Sequence, residues 1–354
     1  MNSSRFRTSP APPGLSRLTK EIFVKKSRAF ATGLAALALI PALALTACSS
    51  SGGRTDTGGS ESGGAVADTP KITIAMITHA PAGDTFWDTI RKGAEAAAAK
   101  DNVDFTYSGD EDGGRQAQLV QQAIDQKVDG IAVTLAKPDA LSDVVKKAVD
   151  AGIPVTVLNA GEAQYKDLGA IGYYGQEDEA AGVAVGERLA SEGIQHPICI
   201  IQAQGAVNLE SRCAGVKSKV PGTEVLYVTG TDMTQVSSTV TAKMQSTPDA
   251  DAYIGLGAPI TLAVVEAKAS TGVTAEVVSF DLNSDLTDAI KAGDVAFTVD
   301  QQPYVQGYLS VDALWLHSVG GFTIGGGGPV YTGPTFVDAD NVDSVATYAA
   351  DGLR

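Results

Sequence analysis

Short apolar runs alternate with longer amphipathic runs along the chain from Lys71 onward. The strand-like runs of the first half cover residues 72–77, 103–107, 130–135 and 153–158. The helix-like runs between them cover residues 85–100, 114–126 and 140–151. In the second of these helices, Leu119, Ala123 and Ile124 recur at helical spacing. Strands that alternate with helices predict βαβ units and a parallel sheet.

The same alternation begins again after Gly169. Strand-like runs cover residues 170–174, 197–202, 224–228, 252–256, 276–280 and 295–299. Helix-like runs cover residues 177–191, 209–220, 237–245, 259–270, 286–291 and 304–318. Two units of about five strands are too many for one ordinary sheet. The pattern therefore predicts an α/β fold with two doubly wound lobes.

The start of the chain is typical of a secretory leader. Basic residues, among them Lys25 and Arg28, precede an apolar run over residues 29–45, and the sequence Leu-Thr-Ala-Cys ends at Cys48. This ending resembles a bacterial lipobox, in which the cysteine becomes the lipidated first residue. A transmembrane helix is disfavoured because it needs about 20 apolar residues, and this run is shorter and contains Pro41. We expect a signal peptide over 1–47 and a flexible Gly/Ser-rich tether over 48–69.

Charge and composition exclude some classes of protein. The 354 residues include 26 Lys and Arg against 41 Asp and Glu, a net charge of −15. Seven of the basic residues and one acidic residue lie in the expected leader, which leaves a mature chain of net charge −21. Such a chain is repelled by phosphate backbones, so we expect no nucleic-acid partner. The 44% of hydrophobic residues suffices for a packed core.

Two cysteines remain after the leader, Cys199 and Cys213. In an exported protein an even pair without zinc-like neighbours is more often a disulfide than a metal site. Two buried free thiols are the alternative. The sequence favours a disulfide bond between them.

Motifs for catalysis, metal binding and cofactors are missing from the sequence. His79, His196 and His317 lie in separate segments, which is typical of solvated or core histidines. The Gly-Leu-Gly sequence at Gly255 follows a strand-like run, but Ile260 occupies the third glycine position of a dinucleotide-binding fingerprint. We therefore expect a protein that is not an enzyme and has no cofactor, no catalytic residue and no metal site.

Six segments together resemble a known family. They read DTFWDTIRKGAEAAA (84–98), KVDGIAVTLAKPDAL (127–141), AGIPVTVLNAG (151–161), NLESRCAGV (208–216), VVSFD (277–281) and TVDQQPYVQG (298–307). In this order they resemble the type I periplasmic sugar-binding proteins of the ribose and galactose class. The resemblance implies two Rossmann-like lobes, with a ligand held between them at the carboxyl ends of the strands.

The resemblance also implies how the chain is divided. Lobe I would comprise residues 70–172 plus 302–332, and lobe II residues 173–301 plus 333–354. Three crossovers would join the lobes, near residues 172–174, 300–302 and 332–334.

The resemblance implies a set of ligand-binding residues. These are Asp84, Phe86 and Trp87 after the first strand, Asn208 and Arg212 on a helix of lobe II, Asp281 at a strand end, and Gln301 at the second crossover. Their chemistry suits a polyhydroxyl ligand, because carboxylates accept from hydroxyls, a guanidinium donates in a fixed fork, and aromatic rings cover CH groups. Gln302 is the alternative to Gln301, since the two are adjacent.

Two further ligand positions depart from the family pattern. Asn159 is followed by Ala160 where ribose-type members often carry Asp-Arg, and Thr134 stands where an Asn is found. A Gly257-Ala258 pair also replaces an Asn-Asp pair. The sequence therefore leaves open whether the ligand is a pentose, a hexose or a polyol such as inositol.

The resulting expectation is a lipid-anchored, monomeric, extracytoplasmic solute-binding protein. It would deliver a monosaccharide or polyol to the permease subunits of an ABC importer and contact the membrane through its lipid alone. The alternative is a receptor that uses the same clamp to report to a signalling or chemotaxis system.

We predict that Cys48 is processed and acylated. Cys48→Ala should release the protein from the membrane fraction or stall it as a precursor, because the lipid-bearing thiol is gone. Fractionation and metabolic labelling with palmitate measure this, with Ser50→Ala as the control. Unchanged membrane attachment and mobility of the Cys48→Ala protein would disprove the anchor.

Overall fold

The computed structural model describes residues 66–81 and 84–354, and it contains two six-stranded sheets. The strands of the first sheet are β1 (Ile72–Thr78), β2 (Val103–Gly109), β3 (Gly130–Val133), β4 (Val155–Leu158), β5 (Gly172–Gln176) and β11 (Pro329–Gly333). Those of the second are β6 (Pro197–Ile201), β7 (Glu224–Tyr227), β8 (Ala252–Gly255), β9 (Glu276–Phe280), β10 (Phe297–Asp300) and β12 (Thr335–Asp338). The orders β11-β5-β4-β3-β1-β2 and β12-β10-β9-β8-β6-β7 correspond strand for strand.

Helices connect the strands. They are α1 (Thr85–Asp101), α2 (Gly113–Gln126), α3 (Pro138–Asp150), α4 (Asp178–Glu192), α5 (Val207–Lys219), α6 (Met233–Ser246), α7 (Ala258–Thr271), α8 (Ser284–Ala292), α9 (Pro303–Gly320) and α10 (Asp343–Ala350), with a 3₁₀ turn at Ile324–Gly327. Side chains such as Asp84 and Asn283 accept the first free N–H groups of their helices. The predicted α/β fold with two doubly wound lobes is confirmed.

Each lobe has apolar clusters on both faces of its sheet, because every strand but β12 pairs in parallel and helices cover both faces. The inner strands β3, β4, β8 and β10 are buried along their whole length. None of the helices in the described ranges is long and apolar enough to cross a membrane.

The chain passes between the sheets three times. The second passage lies at Gln301 and Gln302, and the third at Pro334, both at positions that the family resemblance implies. The first lies at Glu177, later than the expected 172–174, because β5 pairs between β4 and β11 in the first sheet. The buried Tyr173 fixes this strand, since its hydroxyl donates to the carbonyl oxygens of Asn159 (3.0 Å) or Gln176 (2.9 Å). The expected start of lobe II at residue 173 is therefore corrected, because residues 173–176 belong to the first sheet.

Three elements near the C-terminus were not predicted from the sequence. β11 and β12 are short and partly exposed, and α10 is short and buries little. Their apolar residues are too few to give a periodic pattern. Each is held by a partner distant in sequence, for example β12 by its antiparallel pairing with β10.

Close helix contacts place the helices that border the cleft between the lobes. A Cβ added at Gly182 of α4 would collide with the Arg212 carbonyl of α5, and one at Gly215 of α5 would collide with the Glu179 carbonyl. The same contact recurs in the first lobe, where Gly93 of α1 lies against the backbone of Tyr304 in α9. Because no side chain separates these helix backbones, α1 and α5 are held at fixed positions.

A disulfide bond joins Cys199 of β6 to Cys213 of α5 across a sequence separation of 14. Both residues are buried in the core of the second lobe. The bond therefore ties α5 to the central part of the second sheet.

Removal of this bond should destabilise the protein. The double substitution Cys199→Ala, Cys213→Ala should lower the free energy of unfolding by about 3 kcal/mol, because the unfolded chain regains the entropy of a closed loop of this size. Urea unfolding measures the change. A reductant should lower the midpoint of the parent protein and leave that of the double variant unchanged. A parent midpoint that does not respond to reductant would contradict the prediction.

Candidate ligand-binding site

A cleft of about 560 Å³ lies between the lobes, at the carboxyl ends of the strands of both sheets. Residues that follow corresponding strands face each other across it. They are His79 after β1, Asn159 after β4, Gln202 after β6, Leu256 after β8, Asp281 after β9 and Gln301 after β10. Ligands of doubly wound α/β proteins bind at this edge of the sheet, so the cleft is the candidate site.

Eight of the nine residues predicted to bind ligand line this cleft. They are Asp84, Phe86, Trp87, Asn159, Asn208, Arg212, Asp281 and Gln301. His79, Lys137 and Gln202 also line it and were not predicted. A polar residue at the end of an apolar strand is the signal that was available for His79 and Gln202.

Thr134 does not reach the cleft, which corrects its place among the predicted ligand residues. It is fully buried, and its hydroxyl oxygen lies 2.9 Å from the His79 backbone nitrogen, 2.7 Å from His79 Nδ1 and 3.1 Å from Gln116 Nε2. Its hydrogen-bonding capacity is used inside the first lobe. Thr134 therefore lies behind His79, and His79 reaches the cleft in its place.

A chain of hydrogen bonds crosses the floor of the cleft through the second crossover. Asn159 Nδ2 of the first lobe donates to Gln301 Oε1 (3.2 Å), and Gln301 Nε2 donates to Asp281 Oδ1 of the second lobe (2.6 Å). Gln306 Nε2 also donates to Gln301 Oε1 (3.0 Å), which fixes the orientation of the Gln301 amide. Gln302 points elsewhere, with its amide donating to the Thr332 carbonyl, so Gln301 is the crossover glutamine that faces the cleft.

Asn159 and Asp281 occupy equivalent positions in the two lobes. Both have left-handed backbone conformations, with φ of 63° and 68°, directly after β4 and β9. Asparagine and aspartate adopt this conformation more readily than other residues with a Cβ. The left-handed residue turns the chain out of the strand at the point where its side chain meets Gln301.

The buried Arg212 is the strongest positive charge of the site. Its Nε donates to Asp178 Oδ1 (2.8 Å), and its guanidinium lies 4.9 Å from the centre of the Phe280 ring. Nη1 and Nη2 have no hydrogen-bond partner among the residues described, so the fork is available to a ligand. Because Asp178 is also buried, removal of the guanidinium would leave a buried carboxylate without its counter-ion.

Asn208 lies four residues before Arg212, on the same face of α5. Its Oδ1 is buried and has no partner among the described residues, although the residue lines the cleft. Gln202 Oε1 is also buried and without a partner among the described residues, while Gln202 Nε2 donates to the Leu256 carbonyl (3.0 Å). A buried acceptor without a donor is costly, so both oxygens are suited to receive hydroxyl groups from a ligand.

Aromatic rings form the first-lobe side of the cleft. Phe86 is half-buried and meets Trp87 edge to face, with ring centres 5.2 Å apart. Trp87 is 6% exposed and packs into the apolar cluster of the first lobe, so most of its surface belongs to the core. Asp84 begins α1 beside them, and burial raises the pKa of its carboxyl. Phe86 thus offers more ring surface to a ligand than Trp87 does.

Burial also changes the charge of Asp281. Desolvation raises the pKa of its carboxyl from 3.8 to about 7, although Arg212 and the Gln301 amide favour the charged form. Asp84 and Asp300 add to the rise. The carboxylate therefore bears an energetic cost in the empty site, which hydroxyl donors from a ligand would reduce.

A family model for the periplasmic binding protein domain matches residues 74–321. The chain belongs to the periplasmic binding protein family. The solved structure of a carbohydrate transporter from Acidothermus cellulolyticus 11B, in complex with myo-inositol, is 51% identical and covers 80% of this chain and 100% of that one, with a TM-score of 0.79. An ABC transporter solute-binding protein from Burkholderia graminis C4D1M, in complex with D-arabinose, is 28% identical over 77% of this chain and 97% of that one, with a TM-score of 0.70.

A curated relative agrees with these structures. The xylose/arabinose-binding protein of Sulfolobus acidocaldarius is 28% identical over 277 residues, which are 72% of this chain and 68% of the relative. The resemblance to the type I periplasmic sugar-binding proteins is confirmed. The relatives of this periplasmic binding protein are substrate-binding proteins, so the chain is a binding protein and not an enzyme. Across residues 66–81 and 84–354, no group of three or more His, Cys, Asp or Glu is arranged to hold a metal ion.

Replacement of Asp281 by asparagine should stabilise the ligand-free protein. The folded-state pKa is raised, so the stability linked to this carboxyl is complete below its unfolded pKa and is lost as the pH rises through about 7. Asp281→Asn should therefore raise the free energy of unfolding at pH 8 by on the order of 2 kcal/mol, and by less at pH 4. Asparagine also tolerates the left-handed backbone.

Urea unfolding at pH 4, 6 and 8 measures this dependence. The exposed Asp143 of α3 provides the control, since Asp143→Asn should change the stability little at any of the three pH values. An Asp281→Asn protein that is less stable than its parent at pH 8 would contradict the explanation by burial.

Proposed function

We propose that the protein captures a monosaccharide or polyol between its lobes. The observation that carries this proposal is the set of polar groups with unused capacity in one cleft: the Arg212 fork, the Asn208 and Gln202 oxygens, and the Asp281 carboxyl. A polyhydroxyl ligand offers donors and acceptors to these groups, and its CH faces suit Phe86 and Trp87.

Charge in the cleft favours a neutral ligand. The positive charge of Arg212 is balanced by Asp178, while Asp84 and Asp281 add acidic groups to the cleft. Lys137 also lines the cleft, but it is one cation against the carboxyl groups of Asp84, Glu111 and Asp281, so a phosphate or carboxylate ligand would meet a lining with an excess of acidic groups. Neutral sugars and polyols avoid this repulsion.

Among neutral ligands, a cyclic polyol of the inositol class is the first candidate. The carbohydrate transporter with 51% identity is in complex with myo-inositol. Pentoses come next, since D-arabinose is bound in a more distant structure.

Lobe closure is expected to accompany binding. The Val207 N–H of the second lobe donates to the Ala136 carbonyl of the first (2.9 Å), and Ala136 packs into the second lobe's core. Opening of the cleft would break these contacts between the lobes. Gln301 and its neighbours lie at the crossovers, so they can act as the hinge for this motion. A ligand that contacts both lobes would shift this equilibrium toward the closed state.

The wider role that we propose is delivery of this ligand to the permease subunits of an ABC importer, as a monomer held outside the cytoplasm by a lipid on Cys48. Members of the family are extracytoplasmic, which supports the location. Cys48 lies outside the described residues. Sensing for a signalling or chemotaxis system is the alternative, and neighbouring permease and ATPase genes would favour transport.

A thermal-shift screen tests the ligand class. Myo-inositol, D-arabinose, D-xylose and D-ribose should be compared, and a ligand at 100 times its Kd should stabilise the protein by about 2.7 kcal/mol. Arg212→Lys should weaken binding at least about tenfold, because lysine keeps the charge beside Asp178 and loses the planar fork.

Titration calorimetry on the best ligand measures this loss. Arg91→Lys is the control, because Arg91 is exposed and pairs with Glu95, and neither residue lines the cleft. Equal affinity of the Arg212→Lys protein and its parent would show that Arg212 does not bind the ligand. Absence of any shift with sugars and polyols would overturn the proposed ligand class.

A further inference from the structure

His79 lies at the carboxyl end of β1 and lines the cleft, although its sequence context predicts a solvated or core residue. The ring is half-buried and meets the Trp87 ring edge to face, with centres 4.6 Å apart. Its Nδ1 lies 2.7 Å from the Thr134 hydroxyl oxygen. One side of the imidazole is therefore held inside the first lobe.

The position of the Thr134 proton follows from the donors around it. The His79 backbone N–H donates to Thr134 Oγ1 (2.9 Å). Gln116 must also present its NH₂ group, because its Nε2 lies 2.9 Å from the Thr134 carbonyl oxygen, which can only accept. The same NH₂ group lies 3.1 Å from Thr134 Oγ1 and supplies the second donor. With both lone pairs used, the Thr134 hydroxyl has its own proton left to donate to His79 Nδ1.

The tautomer of His79 then follows. The pKa of the ring is lowered to about 3, chiefly by burial and in smaller part by the positive charges of Lys137 and Arg212. The imidazole is neutral at physiological pH, so it carries one ring proton. Since Nδ1 accepts from Thr134, that proton is on Nε2.

Nε2 is the atom that reaches the cleft. It has no hydrogen-bond partner among the described residues, and it is not one of the buried polar atoms that lack a partner. It is therefore accessible in the cleft that His79 lines. Unlike Asp84 and Asp281, whose carboxylates accept, it offers a donor of fixed direction.

We propose that His79 Nε2–H donates a hydrogen bond to one hydroxyl oxygen of the bound ligand, and that Thr134 and Gln116 act as positioning residues that hold this tautomer. The inference rests on the proposed function, and it adds a specificity-determining contact to that site. A ligand that lacks the accepting hydroxyl would leave the Nε2–H without a partner in the closed cleft, and would be rejected for that reason.

The test compares two substitutions of His79 with myo-inositol and D-arabinose as probes. Glutamine can place a donor near the position of Nε2, whereas asparagine reaches only the position of Nδ1. His79→Asn should lose affinity about tenfold or more by calorimetry, and His79→Gln should retain most of it. His317→Asn, outside the lining residues, should bind like the parent.

Deoxy analogues and the tautomer provide two further measurements. One monodeoxy analogue, which lacks the hydroxyl that accepts from Nε2, should bind the parent more weakly than the probe does. The parent and the His79→Asn protein should bind this analogue with equal affinity. Nitrogen-15 NMR of the ligand-free parent should show a protonated Nε2 and an unprotonated Nδ1. Thr134→Val should give a mixture of His79 tautomers and weaken binding of the probe. Thr134→Ser keeps the hydroxyl, so it should keep the single tautomer and the affinity of the parent.

The outcomes separate this inference from the proposed function. A parent that binds the probe while His79→Asn binds it equally well overturns the contact and leaves the function intact. A protonated Nδ1 in the parent overturns the tautomer whether or not a ligand is found. A parent that binds none of the sugars and polyols overturns the proposed function itself, and with it the ligand contact.

Discussion

The two lobes depend on one short run of hydrogen bonds, from Asn159 through Gln301 to Asp281. Gln301 is at a crossover between sheets, so its amide must use its oxygen for one lobe and its nitrogen for the other. Gln306 donates to the side-chain oxygen of Gln301, and the Thr332 hydroxyl donates to the Gln301 backbone carbonyl, so both the side chain and the backbone of this residue are held. A hinge whose amide is hydrogen-bonded through both its oxygen and its nitrogen has one defined geometry, and this geometry sets how the two halves of the cleft face each other.

The second constraint is the cost of buried charge. Arg212 and Asp281 are buried, the Asp178 side chain is 10% exposed, and only Arg212 and Asp178 form an ion pair. Asp281 is left with a pKa raised to about 7. A neutral residue that tolerates the left-handed backbone and still accepts from Gln301, such as asparagine, would stabilise the empty protein. The Asp281 carboxyl lowers the stability of the empty protein, but it provides an acceptor for ligand hydroxyl groups. Binding sites generally show this compromise between stability and function.

The cleft residues could be predicted from the sequence where the family resemblance and the chemistry coincide. Arg212, Asn208 and Asp281 were identified because they match ligand positions of the resembled family, and their side chains suit hydroxyl groups. Thr134 was named a ligand residue by its position in the family pattern and His79 was interpreted as a solvated or core histidine, whereas His79 lines the cleft and Thr134 does not. Which of these two side chains turns toward the cleft depends on the hydrogen-bond donors behind it, and one of these donors is Gln116 of α2. The sequence pattern predicts that α2 is an amphipathic helix, but it does not predict that Gln116 contacts Thr134.

The sequence by itself determined the alternation of strands and helices, because burial of apolar residues on both faces of a parallel sheet leaves a local pattern. It also indicated the cysteine pair and, through the family resemblance, eight of the residues that line the cleft. Only the tertiary structure decided that β5 belongs to the first sheet, that β11 and β12 exist, and that His79 reaches the cleft. Each of these depends on partners more than 20 residues away, whose hydrogen bonds leave no periodic signal in the chain.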